Sequence, residues 1–216
     1  MTSLAVAGLM ASAASAGATY GFTHIVEDGD GPTQLADGAI GVSQLSLELK
    51  DTAGSAEFLF KNSGPDAAVV TQIYWFDVND QLTSLDSWTS ASGGPDYGAP
   101  PNSDEDKGKL PGYGGKNISD FDLKPDPSPS KNGIDIGEDL SVFFSYTGTY
   151  LEILEAIDSG DIVVGVHVQA YKSGGSESFV TGPPPKDPPT GVPSPTAALA
   201  GMGLMGLLVS RRRRRN

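Results

Sequence analysis

Residues 162–171 alternate without a break. Ile162, Val164, Val166, Val168 and Ala170 fall on one side of an extended chain, and Val163, Gly165, His167, Gln169 and Tyr171 on the other. A period of two is the side-chain period of a β-strand, and so dense a β-branched run suits a pleated surface better than a helix. One such strand cannot bury its apolar face alone, so the rest of the chain must supply partners. The rhythm does return. Leu45, Leu47 and Leu49 alternate with polar residues in 42–50, Ala56, Phe58 and Phe60 share a face in 56–61, and Leu140, Val142, Phe144 and Tyr146 share one in 140–146. Residues 67–78 are apolar on both sides, with Val69, Thr71, Ile73 and Trp75 against Val70, Gln72, Tyr74 and Phe76, as in a strand covered on both faces. Shorter strands are expected at 20–26, 82–88, 117–123 and 177–181.

One helix is expected. Thr149-Tyr150-Leu151-Glu152 is a capping-box pattern, Leu151, Leu154 and Ile157 follow along one side, and Gly160 supplies the stop. Short strands, turn clusters and this helix predict an all-β body at residues 17–182: an antiparallel β-sandwich, jelly-roll or immunoglobulin-like. A second, apolar helix is expected at the C-terminus.

The chemistry available to this body is limited. Cysteine is absent, which excludes disulfides, thiolate metal sites and a cysteine nucleophile. Acidic residues number 27 against 14 basic ones, five of which form one terminal run, so the body is a poor partner for nucleic acid. No nucleophile elbow, zinc-protease motif or phosphate-cradling loop is present, and no catalytic residue is assigned. Of the two histidines, His24 and His167, the latter lies within an alternating strand and reads as structural. Glu27-Asp28-Gly29-Asp30-Gly31-Pro32 reads as an acidic turn. Its alternative is a calcium loop with Asp28 and Asp30 as ligands, but the residue twelve along from Glu27 is Gly38 and completes no ligand set. No cofactor is therefore expected, calcium being the one candidate. Residues 93–133 form a long stretch rich in Gly, Pro, Asp and Lys. Trp88, Tyr97 and Tyr113 are candidates to stack on sugars, whereas Trp75 belongs to the core.

Both ends of the chain carry address information. Residues 1–16 are an apolar run that ends in Ala-Ser-Ala steps, the form of a secretory signal peptide. Residues 183–191 are a Pro-rich linker, expected to be extended. Then come Val192, Pro193, Ser194 and Pro195, followed by an uncharged stretch, 196–210, whose bulk includes Leu199, Leu204, Leu207, Leu208 and Val209. As a helix this stretch measures about 22 Å, short of a hydrocarbon core roughly 30 Å thick. Arg211, Arg212, Arg213, Arg214 and Arg215 follow, the only arginines in the chain. Basic residues beside a membrane helix stay cytoplasmic, so the body is placed on the far side.

This order of proline motif, apolar helix and basic end resembles the PEP-CTERM sorting domain of exported bacterial proteins over residues 192–216, with Ser194 where glutamate is usual. The body, from Val42-Ser43-Gln44-Leu45 to Gly174-Gly175-Ser176-Glu177-Ser178-Phe179-Val180, is more loosely similar to the bodies of such proteins. The resemblance implies recognition by an exosortase-type transpeptidase that cuts near the motif. It also implies a transient anchor in the inner membrane with the C-terminus cytoplasmic, and a final place at the cell surface or in the extracellular matrix. The expectation is an exported, non-enzymatic surface or matrix protein. The alternatives are a glycan-binding module with extracellular polysaccharide as partner, a calcium-dependent adhesive module, and a polysaccharide hydrolase.

Overall fold

The structure is a computed structural model that describes residues 17–52, 54–98, 108–114, 119–125 and 129–182. The stretches read as signal peptide, Pro-rich linker and sorting signal, residues 1–16, 183–191 and 192–216, lie outside the described residues. In chain order the elements are β1 (Ala18–His24), α1 (Pro32–Gln44), β2 (Leu45–Thr52), β3 (Ser55–Asn62), β4 (Val69–Asp77) and β5 (Leu82–Thr89). They continue with β6 (Phe121–Leu123), α2 (Pro129–Asn132), β7 (Asp139–Tyr146), α3 (Tyr150–Ser159), β8 (Ile162–Gln169) and β9 (Glu177–Thr181).

The class is all-β and antiparallel, as the alternation predicts. The strands make one nine-stranded sheet, ordered β5-β7-β3-β2-β1-β9-β8-β4-β6, in place of two separate sheets. β1 is where the two halves meet. Its residues Ala18–Gly21 pair with β2 at Leu49–Ser46, and Phe22–His24 pair with β9 at Thr181–Phe179. Seven residues thereby serve two partners, and the sheet doubles over into something close to a barrel. The core fills the fold. Trp75 of β4 is fully buried and meets Phe58 and Phe60 of β3 edge-on at 6.1 and 5.7 Å, and Phe144 of β7 at 5.0 Å. Each such aromatic pair adds about 0.5–1.5 kcal/mol to what area burial supplies. On the alternating face of β8, Ile162, Val164, Val166 and Val168 are all fully buried as expected, but the strand ends at Gln169 and Ala170, expected on the same face, is exposed.

The face assignment in β4 differs from the simple alternation. A register shift between Val70 and Gln72 turns Val70, not Thr71, toward Ile73 and Trp75 in the main core. Thr71 then donates its hydroxyl to the carbonyl of His167. The other face of β4 is also covered, as expected of a strand apolar on both sides. Tyr74 and Phe76 join Ile25, Leu110 and Val180 in a second, smaller cluster, with Tyr113 packed against it.

The described residues contain three helices, not one. α3 has the predicted start and stop. Thr149 accepts from the Glu152 amide at 3.3 Å, Glu152 accepts from the Thr149 amide at 2.6 Å, and Gly160 ends the helix at φ 83°. The face it buries differs from the one expected: Ile153, Ala156 and Ile157 enter the core, Leu154 is only partly buried, and Leu151 stays 62 % exposed. The larger departure is α1. Residues 42–44 belong to this helix and not to the strand after it. Pro32 opens it, and the Gln34 side chain accepts from the Gly31 amide at 3.1 Å. Its buried face is Asp37, Gly38, Gly41 and Gln44, while Leu35 and Val42 point outward. Gln44 ties the end of the helix down, bonding both the amide and the carbonyl of Asp66.

Gly38 and Gly41 let α1 lie flat on β1 and β9. A Cβ at Gly38 would sit 2.2 Å from His24 Nδ1, and one at Gly41 would sit 2.2 Å from Phe179 Cζ. On an exposed helix, alanine in place of glycine gains about 1 kcal/mol. Here Gly41→Ala is expected to destabilise the protein by about 1–3 kcal/mol through overpacking, read as a lower midpoint in urea denaturation. An unchanged or higher midpoint would show that the helix does not press on Phe179.

Candidate functional site

The most concentrated polar chemistry among the described residues lies where α1 crosses the last residue of β1 and the start of β9. His24 pairs with Phe179 in the sheet register, and Glu177, two residues along β9, shares the face of Phe179. This places His24 Nε2 2.8 Å from Glu177 Oε2, with the imidazole N–H donating. The ring is held on two sides. Phe179 lies 5.4 Å away, centroid to centroid, and Gly38 closes over the Nδ1 edge. Asp30 enters from the turn between β1 and α1, its Oδ2 accepting from the Glu27 amide at 2.8 Å. His24, Asp30 and Glu177 each offer a ligand atom, and those atoms lie within 4.8 Å of one another. Asp28, the other sequence candidate, is exposed in the turn and is not part of this group.

Two further buried polar groups, Asp37 and Tyr171, lie close to Glu177. Asp37 of α1 is 5 % exposed and accepts a short hydrogen bond from the Ser173 hydroxyl. The Ser173 oxygen in turn accepts from the Gly175 amide at 3.0 Å. Tyr171 is 3 % exposed, and its hydroxyl has no hydrogen-bond partner; neither has Glu177 Oε1. Burial raises the Glu177 carboxyl above the usual carboxylate range, with the His24 contact pulling against it and Asp30 and Asp37 adding to it. The Tyr171 hydroxyl is also raised, by burial first and then by the negative charge of Glu177 and Asp37. Carboxylates from a turn, a helix and a strand, those of Asp30, Asp37 and Glu177, thus gather beside one another.

A second concavity, of about 350 Å³, is lined by Phe76, Asp77, Val78, Asp80, Tyr113, Gly114 and Asp120. Tyr113 stacks on Phe76 at 4.5 Å. The acids here hold backbone: Asp77 accepts from the Leu82 amide at 2.6 Å and the Asn79 amide at 3.2 Å, and Asp120 accepts from the Asp77 amide at 2.6 Å. Tyr113 is therefore the sugar-stacking candidate that reaches a cleft. Trp88 and Tyr97 are fasteners. The Trp88 indole donates to the Tyr97 carbonyl at 2.8 Å, and the buried Tyr97 hydroxyl donates to the Val70 carbonyl at 2.6 Å. Trp75 is core, as expected.

The expected sorting motif Val192 to Pro195, the apolar stretch and the arginine run lie outside the described residues. No helix among the described residues is long and apolar enough to cross a membrane. His24 and Glu177 are the site residues that sequence reasoning passed over. His24 stands six residues before Asp30, but Glu177 is 153 positions away, and only the pairing of β1 with β9 joins them.

His167 takes the structural part expected of it, its Nδ1 lying 3.2 Å from the Ser178 hydroxyl. Burial lowers the pKa of its imidazole. When the folded pKa lies below the unfolded one, the unfolded chain binds the extra proton. The contribution to stability is then full above about pH 6.5 and is lost as the pH falls below it. His167→Gln is expected to flatten the decline of Tm between about pH 7.5 and pH 5; an unchanged slope would rule His167 out as its source. Set against known proteins, this chain matches no family model, no curated protein and no solved structure.

Proposed function

We propose that this is an exported, non-enzymatic surface or matrix protein, its β-sandwich-like body delivered by a cleavable PEP-CTERM-like tail. The observation that carries the reading is the order of the last twenty-five residues: Val192-Pro193-Ser194-Pro195, an uncharged apolar stretch, then five arginines. A span this short and interrupted by Gly201, Gly203 and Gly206 holds a chain in a bilayer only marginally. The arginines orient it with the C-terminus in the cytosol. Proline-rich residues 183–191 keep the motif extended and accessible to a processing transpeptidase. The acidic body suits a protein that stays soluble once released.

The test is mass spectrometry of the protein recovered from the surface of cells that carry the transpeptidase. The expected product lacks residues 196–216 and the leader at 1–16. A mature surface form that retains Arg211–Arg215 would overturn the reading. A second reading, glycan binding, has support in the Phe76–Tyr113 stack at the mouth of its cleft. It predicts saturable binding on a glycan array that Tyr113→Ala weakens about tenfold, since one stacked aromatic is worth about 0.5–1.5 kcal/mol or somewhat more. Binding unaffected by this change would remove the cleft from consideration.

A further inference from the structure

We propose that His24, Asp30 and Glu177 form a binding site for one first-row divalent transition ion, zinc in the first instance. The site belongs to the folded body and does not depend on how the tail is sorted. The donor set is one imidazole and two carboxylates, with ligand atoms no more than 4.8 Å apart. With bonds near 2 Å, ligand atoms around one such ion stand roughly 3–4 Å from each other, so small side-chain rotations close the site. His24 would bind through Nε2, the nitrogen that already faces Glu177. The metal replaces the hydrogen bond between them, the neutral imidazole carrying its one N–H proton on Nδ1 while Nε2 ligates.

A hydrogen-bonded His–Glu pair alone does not account for the surroundings. Glu177 is 6 % exposed, and one of its two oxygens has no partner. Tyr171, 3 % exposed, brings a second unpartnered oxygen into the field of Glu177 and Asp37. A buried carboxylate oxygen without a donor is costly, and further carboxylates nearby increase the cost. A divalent cation reverses that balance. It supplies Glu177 Oε1 with a partner, offsets the charge of Asp30 and Asp37, and leaves the Tyr171 hydroxyl to hydrogen-bond a metal-bound oxygen, the outer-layer role that orients ligands in metal sites. Asp37, engaged with Ser173, belongs to that outer layer as well.

The imidazole decides the class of ion. Calcium takes six to eight oxygen ligands, whereas imidazole with carboxylates suits zinc and its first-row neighbours. Three protein ligands leave a fourth position for water. The geometry is also rigid where a metal site needs rigidity. The His24 ring is fixed between Phe179 and Gly38, and Asp30 is oriented by the Glu27 amide.

The test is calorimetric titration of zinc chloride into the metal-free full-length chain in mild detergent. One zinc per chain is expected, bound at least tenfold more tightly than calcium. Glu177→Gln, which keeps side-chain shape, and Asp30→Asn, on the turn, should each weaken zinc binding by about tenfold or more. His167→Gln should leave it unchanged. Cobalt(II) loaded in place of zinc should give a visible spectrum that is lost in Asp30→Asn. Should Glu177→Gln fail to fold, Asp30→Asn and the cobalt spectrum still decide. Absence of saturable binding, zinc affinity unaltered by Asp30→Asn, or preference for calcium at these residues would each overturn the proposal.

Discussion

The divided pairing of β1 is the constraint on which the rest of the structure depends. Its first four residues bond to β2 and its last three to β9, so the sheet has no seam and must turn at this strand. Because it turns, β4 faces β3 and β7, and Trp75 finds Phe58, Phe60 and Phe144 across the interior. Because β9 lies beside the end of β1, Glu177 arrives at His24. Core and polar cluster are two results of one hydrogen-bonding arrangement. Antiparallel pairing throughout the sheet keeps the backbone satisfied while it bends.

α1 shows how tightly the cluster is packed. A helix whose buried face is Asp37, Gly38, Gly41 and Gln44 gains little from apolar area. Its position is set by close approach: the two glycines admit the rings of His24 and Phe179, and Gln44 locks the C-terminal end to Asp66. The helix thus acts as a cover for the His24–Glu177 contact and adds to it a buried carboxylate, Asp37.

What the chain discloses in advance follows from this physics. Strands with one apolar face announce themselves, and β2, β3, β7 and β8 lie close to where alternation puts them, while β9, at the expected 177–181, is buried on both faces. A helix with explicit caps, such as α3, announces itself too, although its inward face is set by tertiary packing and not by the nearest leucines. α1 stays hidden because its large apolar residues form no inward stripe: Leu35 and Val42 face solvent, and Ile40 packs only partly buried against the core. The slip at Thr71 is equally silent, since a bulge changes which side chains face inward without changing composition. One of the three cluster residues was visible: Asp30 stood out as an acid in a turn. Glu177, one of 27 acids, could be recognised only once the strands were paired.

The margins of the sheet carry a consequence of their own. Among the described residues the nine-stranded sheet has two margins, β5 and β6, and the free amides and carbonyls of such margins invite neighbouring molecules to add strands. At one margin β6 is only three residues long. At the other, β5 departs from regular register twice along its pairing with β7, between Leu82 and Ser84 and again between Leu85 and Ser87. A kinked border and a stub offer poor templates for fibril growth. Both margins thus work against strand-by-strand stacking of neighbouring copies, although nine strands supply the same secondary structure as amyloid.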